Sequence, residues 1–126
     1  MTDTEHALTE HATAETVLVA PIEALRRVEN GALLLDVRRA ASRVADGVVP
    51  DSEHVEKADV ALTFEPLADR NRDIVVFCTT EGGSSPVVEQ LFLLGYSNVA
   101  HVDGGYRAWK AAGLPTRDGE SAGVAG

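Results

Sequence analysis

Ile74-Val75-Val76-Phe77-Cys78-Thr79-Thr80-Glu81-Gly82-Gly83-Ser84-Ser85-Pro86 carries the strongest structural signal in the chain. Four consecutive β-branched or aromatic residues predict a strand covered on both faces. Cys78 follows that strand at once, and a Gly/Ser-rich turn follows Cys78. Beyond the turn, Val87, Val88, Leu91 and Leu94 fall at i, i+1, i+4 and i+7, which is helical spacing, and Gly95 ends the helix. The helix is expected to open near Ser84, with Ser84 or Ser85 as its cap and Pro86 in its first turn. A strand, a turn and a helix in this order put Cys78 at the carboxyl edge of a sheet, where open α/β sheets bind ligands.

The same alternation extends in both directions. Val17-Leu18-Val19 is a short strand candidate, and Pro21 then suits the first turn of a helix carrying Ile22, Leu25 and Val28, closed by Asn30-Gly31. Ala32 to Val37 is an apolar run ended by Asp36-Val37, expected as a second buried strand. Ala40 to Asp46 reads as a helix stopped at Gly47. A short strand is expected around Glu53 to Glu56, and a helix over Ala58 to Leu67 with Val60, Phe64 and Leu67 on one side. Asn98 to Val102 reads as a strand. Gly104-Gly105 then opens a last helix, with Tyr106, Trp109 and Lys110, that stops at Gly113-Leu114-Pro115. Strands alternating with helices imply an α/β fold, a small and mostly parallel sheet flanked by helices on both faces.

The chain has 126 residues, the length of one domain. We expect that domain over residues 16–116, with a disordered tail at 1–15 and a flexible one at 117–126. The formal net charge of −9 argues against nucleic acid or an anionic membrane as partner, since both need basic surface. One cysteine cannot form an intrachain disulfide, and the N-terminal residues show neither an apolar signal segment nor a membrane span, so a cytoplasmic location is expected. His6, His11, His54 and His101 match no metal-binding spacing, and no metal is expected.

Chemistry concentrates in Cys78, Thr79, Thr80, Glu81, Gly82, Gly83 and Ser84. Glycines let successive N–H groups curl inward, and the start of a helix adds free donors and partial positive charge. A thiol in such a cradle favours its thiolate, which is the nucleophilic form. The alternative is that Cys78 is a small buried hydrophobe at a strand end. From these residues alone both readings stand.

Three stretches together resemble the rhodanese, or sulfurtransferase, domain. Leu33-Leu34-Leu35-Asp36-Val37-Arg38 is similar to the family's strand followed by Asp-Val-Arg, with Gly47 to Pro50 standing where the family has a Gly-His-Ile-Pro turn. Val75-Val76-Phe77-Cys78, its loop and the helix through Gly95-Tyr96 form the second. Val102-Asp103-Gly104-Gly105-Tyr106-Arg107-Ala108-Trp109, with Gly113-Leu114-Pro115 after it, is similar to the family's closing motif. They occur in the family's order and cover about Thr16 to Thr116.

The resemblance implies a rhodanese-like fold and a sulfurtransferase of the thiosulfate type. Cys78 would take sulfane sulfur from thiosulfate or another small donor, hold it as a persulfide and pass it to a thiol, cyanide or protein acceptor. Residues Thr79 to Ser84 would bind the anionic sulfur, and no cofactor is implied. The resemblance also implies sulfur rather than phosphate chemistry. Six residues, Cys78 to Gly83, precede Ser84, and the related cell-cycle phosphatases use a longer loop. A phosphatase or arsenate-reductase-like activity is the weaker alternative, and a non-catalytic interaction module the other.

Several positions depart from the family pattern. Its loop arginine is Gly83 here, and Glu81 adds a carboxylate that disfavours a thiolate and an incoming anion. The histidine of the Gly-His-Ile-Pro turn is Val48. Compensating cations are sought in Arg38, then in Arg107 and Lys57, then in Arg43. For Arg38 an ion pair with Asp36 is the preferred reading. Glu81 is expected to point outward into solvent, and Tyr106 and Trp109 to pack in the core.

Overall fold

The computed structural model describes residues 17–64 and 71–118. Five strands form one parallel sheet: β1 (Leu18–Val19), β2 (Leu33–Asp36), β3 (Glu53–His54), β4 (Ile74–Phe77) and β5 (Val99–Val102). Their order is β1-β5-β4-β2-β3, and every pairing is parallel. The helices are α1 (Pro21–Glu29), α2 (Ala40–Asp46), α3 (Val60–Phe64, preceded by a 3-10 turn over Lys57–Asp59), α4 (Glu81–Leu93) and α5 (Gly105–Ala111).

The strands at the centre are buried at every position, which is why their sequences are unbroken apolar runs rather than alternating ones. Successive side chains still go to opposite faces. From β2 and β4, Leu33, Leu35, Val37, Ile74, Val76 and Cys78 join one core with α3 and α4. Leu34, Val75 and Phe77 join a second core with Ala24 of α1 and Tyr106 and Trp109 of α5. The chain leaves β2 toward β3 at one edge and leaves β4 toward β5 in the other direction. The carboxyl ends of β2 and β4 therefore flank the point where the winding reverses, which is where such sheets open a crevice.

Leu67 lies outside the described residues, so the helix expected to reach it is seen as a 3-10 turn followed by α3 only as far as Phe64. Arg117, expected in the flexible C-terminal tail, exchanges two backbone hydrogen bonds with Val48, at 2.8 and 2.9 Å. Of the expected tails, residues 1–15 and 119–126 lie outside the described residues. Among the described residues, no helix is long and apolar enough to cross a membrane, and no group of three or more His, Cys, Asp and Glu stands together to hold a metal.

Candidate active site

Cys78 sits one residue past β4, in the row of Ile74 and Val76, and is 7% exposed. Its backbone is clamped by the start of α5. The Tyr106 N–H donates to the Cys78 carbonyl at 2.8 Å and the Arg107 N–H to the Thr79 carbonyl at 3.2 Å. This close approach explains the second glycine of the third motif. Gly105 has φ +62°, and a Cβ there would lie 2.6 Å from the Thr79 oxygen and 2.7 Å from the Cys78 oxygen. Only glycine fits both the left-handed backbone and the contact.

The segment after Cys78 differs from the expected cradle. Helix α4 begins at Glu81, with Thr80 in extended conformation as its N-cap, so Glu81, Gly82 and Gly83 form its first turn rather than a loop. Neither Gly82 nor Gly83 has positive φ. Ser84 and Ser85 are therefore inside the helix and not its caps. Ser85 Oγ donates back to the Glu81 carbonyl at 2.9 Å. Pro86 also lies inside the helix. It is the sixth helical residue, beyond the first turn where it was expected, and having no N–H it leaves the Gly82 carbonyl without its i+4 donor. Among the described residues no hydrogen bond is made to the Cys78 sulfur.

What meets the sulfur is the bare face of that first turn. A Cβ built on Gly83 would stand 2.5 Å from Cys78 Sγ, 3.0 Å from its Cβ and 3.3 Å from the Lys57 Nζ. Gly83 is thus required by the sulfur's position, not by backbone conformation. The amides of Glu81 and Gly82, in the first turn, have no intrahelical carbonyl to reach.

Glu81 is only half-buried, and its carboxylate does not simply point to water. Its Oε1 accepts from the Gly104 N–H at 2.9 Å, which ties the start of α4 to the start of α5. Ser84 is fully buried, and its hydroxyl lies 2.6 Å from Nδ1 of His101, itself fully buried on β5. The strand pattern around His101 predicts its position but no partner for it. A buried imidazole needs one, yet nothing in the local sequence points to Ser84.

The candidate cations separate cleanly. Arg38 is 1% exposed, and its Nε and Nη2 donate to the two oxygens of Asp36 at 3.0 and 2.8 Å. Its Nη2 also donates to the Gly47 carbonyl at 2.9 Å, and its guanidinium stacks 4.1 Å above the Tyr106 ring. Arg43 Nε adds a second cation to Asp36 at 3.1 Å. Both arginines are thereby committed to Asp36, as the ion-pair reading of Arg38 expected. Arg107 and Lys110, with Asp46, Tyr106 and Ala111, line a cavity of about 360 Å³ whose walls do not include Cys78. Lys57 is the candidate that reaches the neighbourhood of the sulfur. Trp109 and Tyr106 pack in the core, as expected. Burial pushes the Tyr106 hydroxyl above the usual tyrosine value, against the opposing effect of Arg38.

The comparisons with known proteins agree with this architecture. The model of the rhodanese-like domain matches residues 20–112. Thiosulfate sulfurtransferase GlpE of Pseudomonas savastanoi pv. phaseolicola is 34% identical over 93 residues, 74% of this chain and 86% of that protein. The crystal structure of the Alr3790 protein from Anabaena sp. superposes with a TM-score of 0.69 at 27% identity, covering 79% of this chain and 81% of the other. That of a thiosulfate sulfurtransferase from Pseudomonas aeruginosa gives a TM-score of 0.70 at 27% identity, over 83% of this chain and 20% of that one. The chain belongs to the rhodanese-like domain family.

Proposed function

We propose that the protein is a sulfurtransferase, or persulfide carrier, working through Cys78. The observation that supports this most is the position of Sγ. It lies at the carboxyl end of the central strand, at the winding reversal, against a helix turn stripped of side chain at Gly83. In the first step the Cys78 thiolate attacks the outer sulfur of a donor such as thiosulfate. The donor's S–S bond breaks and its electron pair leaves on sulfite. Cys78 then carries a persulfide, whose terminal anion falls to the substrate-binding segment Thr79, Thr80, Glu81, Gly82, Gly83 and Ser84. In the second step a thiolate, cyanide or a protein thiol attacks that outer sulfur and the Cys78 thiolate is restored. This two-step cycle is nucleophilic catalysis with the enzyme as the temporary carrier, and it needs no cofactor. The cell's cytoplasm, where thiols stay reduced, is the compartment such a cycle suits.

Incubation with thiosulfate and with other sulfane donors, followed by intact mass measurement, tests the proposal. One added sulfur atom is expected on Cys78, removable with cyanide and absent from Cys78→Ser. No added sulfur with any donor overturns it.

A second reading, a non-catalytic rhodanese-like interaction module, is favoured by one observation: Cys78 is 7% exposed and packs within the α3/α4 core. It predicts a thiol that resists alkylation at neutral pH and a partner that binds Cys78→Ser as well as the wild-type chain.

A further inference from the structure

Lys57 precedes α3 in sequence and is far along the chain from Cys78, yet its ammonium reaches the space above Gly83. The position of a Cβ on Gly83 is 2.5 Å from Sγ and 3.3 Å from Nζ, so Sγ and Nζ are within about 6 Å of each other. Among the described residues Lys57 makes no ion pair. Its acidic neighbour Glu56 is turned to His54, with 3.8 Å between Oε2 and Nε2. The other candidate cations are committed elsewhere or line a different cavity. The one carboxylate of the α4 first turn, Glu81, is held by the Gly104 N–H.

We infer that Lys57 is the cation of this site, contributed from outside the Cys78 segment, and that it makes the thiol select anionic reaction partners. The inference rests on the sulfurtransferase reading for the identity of those partners, which are sulfane donors bearing a sulfonate or a persulfide anion. It does not rest on that reading for the charge effect itself. Lysine suits the role geometrically. Its ammonium is a compact point charge on a flexible stem, and Gly83 leaves room for the stem to swing as donors enter and sulfite leaves. A bulky residue at position 83 would occupy the ammonium's place as well as the sulfur's.

The test compares alkylation of Cys78 by iodoacetate, which is anionic, with alkylation by iodoacetamide, which is neutral and nearly isosteric. Dividing the two rates cancels any change in the thiol's own reactivity or accessibility. In Lys57→Gln the iodoacetate-to-iodoacetamide rate ratio is expected to fall by roughly threefold or more, the scale of one unit charge at this distance in a solvent-screened site. Lys57→Arg should restore it, Lys57→Glu should lower it further, and added salt should shrink the wild-type ratio toward that of Lys57→Gln. In parallel, the Lys57→Gln protein should need more thiosulfate for half-saturation of sulfur loading, with a smaller change for an uncharged organic trisulfide. An unchanged ratio in Lys57→Gln overturns the inference, as does a fall in both rates by the same factor, which would mark a structural role. If the ratio falls but no donor loads sulfur onto Cys78, the charge assignment stands and the sulfurtransferase reading fails.

Discussion

The hydroxyl of Ser84 and Nδ1 of His101 meet at 2.6 Å, and both residues are fully buried. The contact ties the first turns of α4 to β5 and so fixes the helix turn against which the Cys78 sulfur rests. Removing the hydroxyl takes from Nδ1 a bond it makes in a site closed to water. Ser84→Ala is therefore expected to cost about 1–3 kcal/mol. Ser85→Ala removes only a back-bond to the Glu81 carbonyl and should stay within about 0.5 kcal/mol. Urea denaturation of both variants checks the contrast, and equal losses would contradict it.

Gly82 and Gly83 are adjacent in the same helical turn but face different surroundings. A Cβ on Gly82 would meet only the Thr80 hydroxyl, at 3.8 Å, whereas one on Gly83 would stand 2.5 Å from Cys78 Sγ. Gly82→Ala should stabilise the protein by about 0.5–1 kcal/mol through helix propensity. Gly83→Ala should destabilise it by about 1–3 kcal/mol and displace the sulfur, altering the rate of Cys78 alkylation. Denaturation midpoints together with alkylation kinetics would read both effects. A Gly83→Ala protein as stable as Gly82→Ala, with unchanged thiol kinetics, would mean that the sulfur and position 83 are not in contact.

That pair also shows why the site was only partly legible in sequence. Strands β2 and β4 are readable because an unbroken apolar run has few structural homes, and both are buried throughout. The position of Cys78 followed directly. The start of α4 did not, since the two glycines weigh locally toward a loop and Ser84, Ser85 and Pro86 toward a helix start three residues later, and Gly83 is there for a contact with a sulfur that local sequence cannot reveal. The same limit hid the partner of His101 and left Lys57 a minor candidate, because the chain segment that brings it to the site lies on the far side of β4 in sequence. Arg38 could be paired with Asp36 on sequence, but not its stacking on Tyr106, which comes from the last helix.

Asp36 holds two guanidinium groups, and the Arg38 side chain is closed to solvent on every side. Neutralising the carboxylate would leave a buried cation with the Tyr106 ring and the Gly47 carbonyl but no countercharge. Asp36→Asn is expected to destabilise the fold by about 3–5 kcal/mol. Arg43, 22% exposed, can return to water, so Arg43→Ala should cost much less. The measurement is urea unfolding of each variant at neutral pH. A loss in Arg43→Ala equal to that in Asp36→Asn would show that Arg38 does not depend on Asp36 for its countercharge.

Tyr106 makes the fold sensitive to alkali. Its hydroxyl donates to the Asp46 carbonyl at 2.7 Å, and burial raises its pKa above the ordinary value of 10.0. The unfolded chain loses its phenolic proton near that ordinary value while the folded chain still keeps it. The folded state binds more protons in the interval, so stability falls as pH rises from about 10.0 toward the higher folded value. The contribution is fully present below the lower of the two. Tyr106→Phe cannot ionise and cannot donate to Asp46. It should be less stable than wild type at neutral pH by about 1 kcal/mol, and should lose less stability than wild type as pH is raised past that interval. Unfolding midpoints taken across the alkaline range for both proteins decide the matter. Parallel curves would mean that the hydroxyl titrates alike in the folded and unfolded chains.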